Sequence, residues 1–128
     1  MRDLLRTLIF SWLISAPAVA AELVVIVNAQ SGVESLDHRD LVNIFMGRYQ
    51  KLPSGVTAFP LDLQSARQDF YKILVDRTLP EINSYWARLV FSGRGSPPRQ
   101  VDDAAEVVEI VRSNRGAIGY VDRAQASS

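Results

Sequence analysis

Apolar positions change their period along this chain. Glu22–Ala29, ELVVIVNA, is a continuous β-branched run with no alternation. It predicts a strand buried on both faces, as in a parallel sheet covered by helices. After the turn residues QSGVES, Leu36, Leu41, Ile44 and Phe45 recur at helical spacing, with Ser35 or Asp37 as N-cap and Gly47 as a left-handed stop. The turn-rich RYQKLPSG leads to a second expected strand, Val56–Leu61. Pro60 lacks the N–H that a ladder needs, so it belongs near that strand's end or on an edge. A helix is expected from about Ser65, with Ala66, Phe70, Ile73 and Leu74 on one face.

Thr78-Leu-Pro-Glu81 fits a capping box. The helix it opens has a wide aromatic stripe of Ile82, Tyr85, Trp86, Leu89 and Val90, expected to carry much of the core. Ser92–Arg99, with two Gly and two Pro, is the most irregular stretch. DDAAEVVEIVRS reads as a final helix, capped by Asp102 or Asp103 and packing Val108 and Val111 until Asn114 and Gly116 stop it. Gly116–Asp122 reads as a last short strand and RAQASS as a frayed tail. The order β-α-β-α-α-α-β predicts a three-layer α/β domain with helices over a small sheet, and crossovers through helices favour parallel pairing.

The first 21 residues change this picture. Arg2 and Arg6, the apolar TLIFSWLISAPAVA and the small residues Ala18–Ala21 follow the order of a secretory signal, and the apolar run suits a signal better than a membrane span. Residues 1–21 are therefore expected to be a signal peptide, 22–128 one soluble exported domain, and the location periplasmic. With no cysteine in the chain, no disulfide, zinc–thiolate site or cysteine nucleophile is available. From residue 22 onward 12 basic and 13 acidic residues remain, a net charge of −1. Such a balance does not point to nucleic acid.

Chemistry concentrates in Pro60–Phe70, PLDLQSARQDF, where a strand is expected to pass into a helix. A helix N-terminus outside the carboxyl end of a strand offers unpaired N–H groups to an anion. Ser65 can add a hydroxyl, Gln64 an amide and Arg67 a two-pronged cation, whereas Asp62 would repel a fully charged ligand. The plainer alternative is that Ser65 or Gln64 caps the helix and Arg67 lies in solvent. FSGRGSPPR (Phe91–Arg99), with Arg94 and Arg99, is a second candidate anion loop, but a rigid connector with exposed arginines is the better reading, since Gly and Pro mark turns far more often than sites. His38 is the only histidine and no GxSxG or HExxH occurs, so neither an enzyme nor a metal or other cofactor is expected. Tyr85, Trp86 and Phe91 could line an apolar pocket, but their spacing favours core packing.

Three segments in series resemble the phosphate-binding periplasmic protein family of ABC importers. LDHRDLVNIFMGRYQKLPSG (Leu36–Gly55) is similar to a segment of that family, FPLDLQSARQDFYKIL stands where the family has its phosphate loop, and GAIGYVD resembles a strand of its second lobe. The resemblance implies a periplasmic-binding-protein-like single lobe with a small, mostly parallel sheet flanked by helices. It also implies a substrate-binding module for phosphate or another small oxyanion in an ABC-type uptake system, with Asp62, Gln64, Ser65, Arg67 and Arg94 as candidate ligands. This chain has only one lobe's worth of sequence, and Ala66 and Arg67 stand where the family has Gly and Thr. The alternative is an accessory or sensory interaction domain that kept the fold and lost the ligand. A membrane transporter, a sensor protein or a second copy would then be its partner.

Overall fold

The computed structural model describes residues 22–126, together with the backbone of residues 10–11. The signal-peptide reading otherwise falls outside the described residues. A short pair, β1 (Phe10–Ser11), lies antiparallel on β2 (Leu23–Val27). There follow α1 (His38–Phe45), β3 (Phe59–Leu63), a 3-10 turn at Gln64–Ala66, α2 (Arg67–Val75), α3 (Leu79–Phe91), β4 (Arg99–Val101), α4 (Ala104–Ser113), β5 (Ala117–Asp122) and α5 (Arg123–Ala126).

The sheet order is β1-β2-β5-β3-β4. β2 runs antiparallel to β5, while β3 is parallel to both β5 and β4. The sheet is thus mixed. The β3-to-β4 and β4-to-β5 connections are helical crossovers between strands of one direction, whereas α1, between β2 and β3, joins strands of opposite direction. β2 enters from the other end.

Helices cover both faces. A Cβ on Gly119 of β5 would press on Val107 of α4. The next residue, Tyr120, points the other way and stacks on Phe70 of α2, with ring centroids 3.7 Å apart and planes 6° apart. Phe45 of α1 meets both rings edge-on. All five residues of β2 are buried, as its unbroken apolar run predicts.

Several boundaries move. α1 starts after Leu36, and Asp37 rather than Ser35 caps it, in a reciprocal box with Asp40. Gly47 follows with φ +79°, the left-handed stop expected of it. The second strand begins at Phe59 rather than Val56, because Thr57 bridges back to Lys51 in the connection before it. Pro60 lies at the start of β3. The Phe59 N–H donates to Gly116 O at 2.8 Å, so the next nitrogen faces β4's side, where pairing begins only at Leu61. Proline therefore costs the ladder no bond. β4 itself emerges from a stretch read as irregular. Asp103 caps α4, and Val107 joins Val108 and Val111 in the core.

The α3 stripe is narrower than expected. Its capping box at Thr78–Glu81 forms, yet only Ile82 and Trp86 are buried; Tyr85 and Leu89 are half-buried, and Val90 lies in solvent. α3 packs outside α2 and the end of α1 instead of on the sheet, so one narrow face suffices. Phe91, expected in the core, is 95% exposed. RAQA, read as a frayed tail, forms α5, tied down by the Arg123–Glu22 ion pair at 3.0 Å and by buried Ala126.

Gly116 gives the tightest backbone approach, since a Cβ there would collide with the Thr57 carbonyl oxygen. Gly116→Ala is expected to destabilise the fold by about 1–3 kcal/mol, the range for forced overpacking, measured as a lowered urea midpoint at unchanged slope.

Candidate functional site

β3, β4 and β5 point their carboxyl ends the same way. After β3 the chain turns into α2, on the Tyr120 face. After β5 it turns into α5, which packs beside α4 on the other face. The crevice between the ends of β3 and β5 is therefore a topological switch point, where open α/β sheets bind ligands. The β3–β5 register, continued from Pro60 opposite Ile118, puts Asp62 beside Tyr120 just inside that crevice.

Asp62 is almost sealed from water, at 1% exposure. Three groups donate to its carboxylate. Tyr71 Oη and Tyr120 Oη both reach Oδ1 at 2.9 Å, and Arg67 Nε reaches Oδ2 at 3.2 Å. Arg67 is itself buried, and its guanidinium carbon lies 5.9 Å from the centre of the Tyr71 ring. The local sequence explains the convergence. Even-numbered β3 positions face the α1–α2 layer, and Arg67 and Tyr71, four apart on α2, share the helix face that looks back at the strand.

Burial is the largest influence on Asp62 and raises its pKa above the ordinary 3.8, against the lowering pull of Tyr120, Tyr71 and Arg67. Burial first, then the neighbouring carboxylate, raises both phenols, so Tyr71 and Tyr120 remain donors. The cluster is a filled cradle: one internal anion, one cation and two hydroxyls.

The structure thus brings together two of the five candidate ligands, Asp62 and Arg67, and turns them on each other. Arg67 is not in solvent: it is buried, with its Nε paired to Asp62. Gln64 and Ser65 are exposed on the 3-10 turn. Neither caps α2, whose N-cap Ala66 has no side-chain cap bond. Arg94 is not at this site. β4 runs parallel to β3 with Arg99 opposite Leu61, so the loop carrying Arg94 approaches from the amino end of the strands. Acidic groups gather at the carboxyl end instead: Asp102, Asp103 and Asp122 follow or close their strands there, with Asp103 capping α4.

Tyr71 and Tyr120 are the residues that sequence reasoning missed. Their signal was Tyr71's place four after Arg67 and Tyr120's in a buried strand, where a phenol must find a partner. Pockets open elsewhere. One of about 380 Å³ lies at the amino end of β3, between Trp86, Pro60 and the Pro97–Pro98 loop. Another, of about 440 Å³, lies among α1, α2 and α3. Among the described residues, no group of histidine, cysteine, aspartate or glutamate is placed to hold a metal ion.

No family model matches the chain, and neither the curated proteins nor the solved structures contain a match to it.

Arg67→Gln would leave a buried carboxylate without its cation and is expected to cost about 3–5 kcal/mol near neutral pH. The pH dependence has a definite sign. Because the native pKa of Asp62 lies above 3.8, the folded chain keeps a proton that the unfolded chain has already lost. Its contribution to stability is therefore largest below that value and declines as pH rises through the native pKa. Urea unfolding of the wild type and Asp62→Asn, from about pH 4 to about pH 7, should show the wild type losing stability relative to the variant as pH rises. A gain instead would mean that its partners outweigh burial.

Proposed function

We propose that this chain is an exported, single-lobe relative of the periplasmic phosphate-binding proteins that works as an accessory or sensory interaction domain rather than as a solute carrier. The helix-flanked α/β sheet and the resemblance of Leu36–Gly55, Pro60–Leu74 and Gly116–Asp122 support the lobe. One observation carries the functional reading: the cation at the start of α2, Arg67, is buried against the chain's own Asp62. A cation so paired is not free to draw a phosphate from water, and an anion pressed against Asp62 would meet like charge. Exposed apolar side chains support the interaction role. Phe91 is 95% and Val90 52% exposed at the end of α3, and Tyr49 is 48% exposed beyond α1. Large apolar groups left in water mark contact surfaces when they cluster. The partner would be a membrane transporter, a sensor protein or another envelope protein.

A second reading keeps the small oxyanion, phosphate first, for an ABC-type uptake system. It is favoured by the uncapped start of α2, where Gln64 and Ser65 lie exposed at the end of β3.

Two measurements separate them. A photo-crosslinking residue in place of Phe91 is expected to trap a discrete envelope partner in cells, and Phe91→Ser to abolish the association. Calorimetry with inorganic phosphate and sulfate is expected to show no binding that Ser65→Ala removes. Micromolar phosphate binding lost in Ser65→Ala would overturn the interaction reading in favour of the carrier.

A further inference from the structure

Three arginines line a pocket among α1, α2 and α3 that does not include Asp62. Its volume, about 440 Å³, is within the range of small-molecule sites. Its floor is apolar. Val42 and Val75 are half-buried there and present the apolar surface, over Met46, Leu74 and Ile82, which are buried. Its rim is cationic, with Arg48 from the end of α1, Arg77 from the end of α2 and Arg88 from α3.

These arginines differ from Arg67. All three are exposed, and none has an ion-pair partner among the described residues. Glu81, the carboxylate lining the pocket, is bound into the Thr78 capping box. The hydrogen bond from the Thr78 backbone, and to a lesser degree Arg77, keeps its pKa below the ordinary value. Three guanidinium groups against one carboxylate leave a net charge of +2 around an apolar floor. Guanidinium forks match phosphate and carboxylate oxygens in pairs, so the charge calls for a dianionic head and the floor for an apolar body.

We propose that this pocket binds a small amphipathic dianion: a phosphate monoester or a dicarboxylate carried on an aromatic or short aliphatic body. Above about pH 6 a phosphate monoester carries most of its second charge, which meets the same requirement. The site is independent of the crevice and of the partner surface at Phe91.

Calorimetry with the full chain tests this using phenyl phosphate, phthalate, inorganic phosphate and benzyl alcohol. Phenyl phosphate, phthalate or both should bind at least about tenfold more tightly than inorganic phosphate, with no binding of benzyl alcohol, because head and body are both required. Whichever of the two binds better identifies the head. Arg48→Gln and Arg88→Gln should each weaken that ligand by about tenfold or more. Arg39→Gln, a charge change on α1 outside the pocket, should leave it unchanged. Exposed positions are chosen so that folding persists, checked by circular dichroism. If phenyl phosphate and phthalate bind no better than inorganic phosphate, or if Arg39→Gln weakens binding as much as Arg88→Gln, the proposal fails, since a diffuse surface field would then explain any attraction.

Discussion

A carboxylate buried between a strand and the helix that follows it organises this molecule. Taking Asp62 out of water is costly, and the cost is offset only if several donors converge on it. Arg67, Tyr71 and Tyr120 do so from α2 and β5. Meeting that requirement fixes the 3-10 turn at Gln64–Ala66, because Arg67 must fold back over the end of β3. It fixes the rotation of α2 about its axis, because Tyr71 must face the sheet. It also joins β3 to β5 by a side-chain link where their backbone pairing has run out.

The apolar packing agrees with this polar core. Phe70 stacks on Tyr120, and Phe45 closes the cluster edge-on. The same ring that stacks on Phe70 thus points its hydroxyl at Asp62, so aromatic packing and hydrogen bonding place α2 alike. Such agreement between separate interactions is what singles out one arrangement. The other face is simpler: Gly119 leaves room for α4 to lie close, and valines fill the gap.

The elements with strong local signals were legible in the sequence. Two helix starts follow from Asp37 and Thr78, whose caps need only residues within one turn, and β2 follows from its unbroken apolar run. β4 was not legible. Three residues after a Pro-Pro pair carry no period, and pairing with β3 alone makes them a strand. The mixed direction of the sheet was not legible either, since nothing in β2 states which neighbour it will pair. α3 looked like a core helix because its apolar side chains keep helical spacing, and spacing says nothing about whether a helix lies on the sheet or on other helices. At the site, both charged partners were visible, but their mutual capture was not. A burial pattern placing Asp62 inward and Arg67 one helical turn before Tyr71 is a tertiary fact, and local rules leave Arg67 free for solvent or ligand.

The two margins of the sheet are unequal. At one margin β4 has three residues, with Arg99 and Gln100 exposed, and so short and polar an edge is a poor template for a foreign strand. At the other, β2 is five apolar residues long, and Phe10–Ser11 guard only Val24 and Val25. A form of the chain without residues 1–21 would present there an open row of backbone donors and acceptors along LVVIV, a composition prone to self-pairing. The solubility of such a form rests less on its balanced charge than on what next lies against β2.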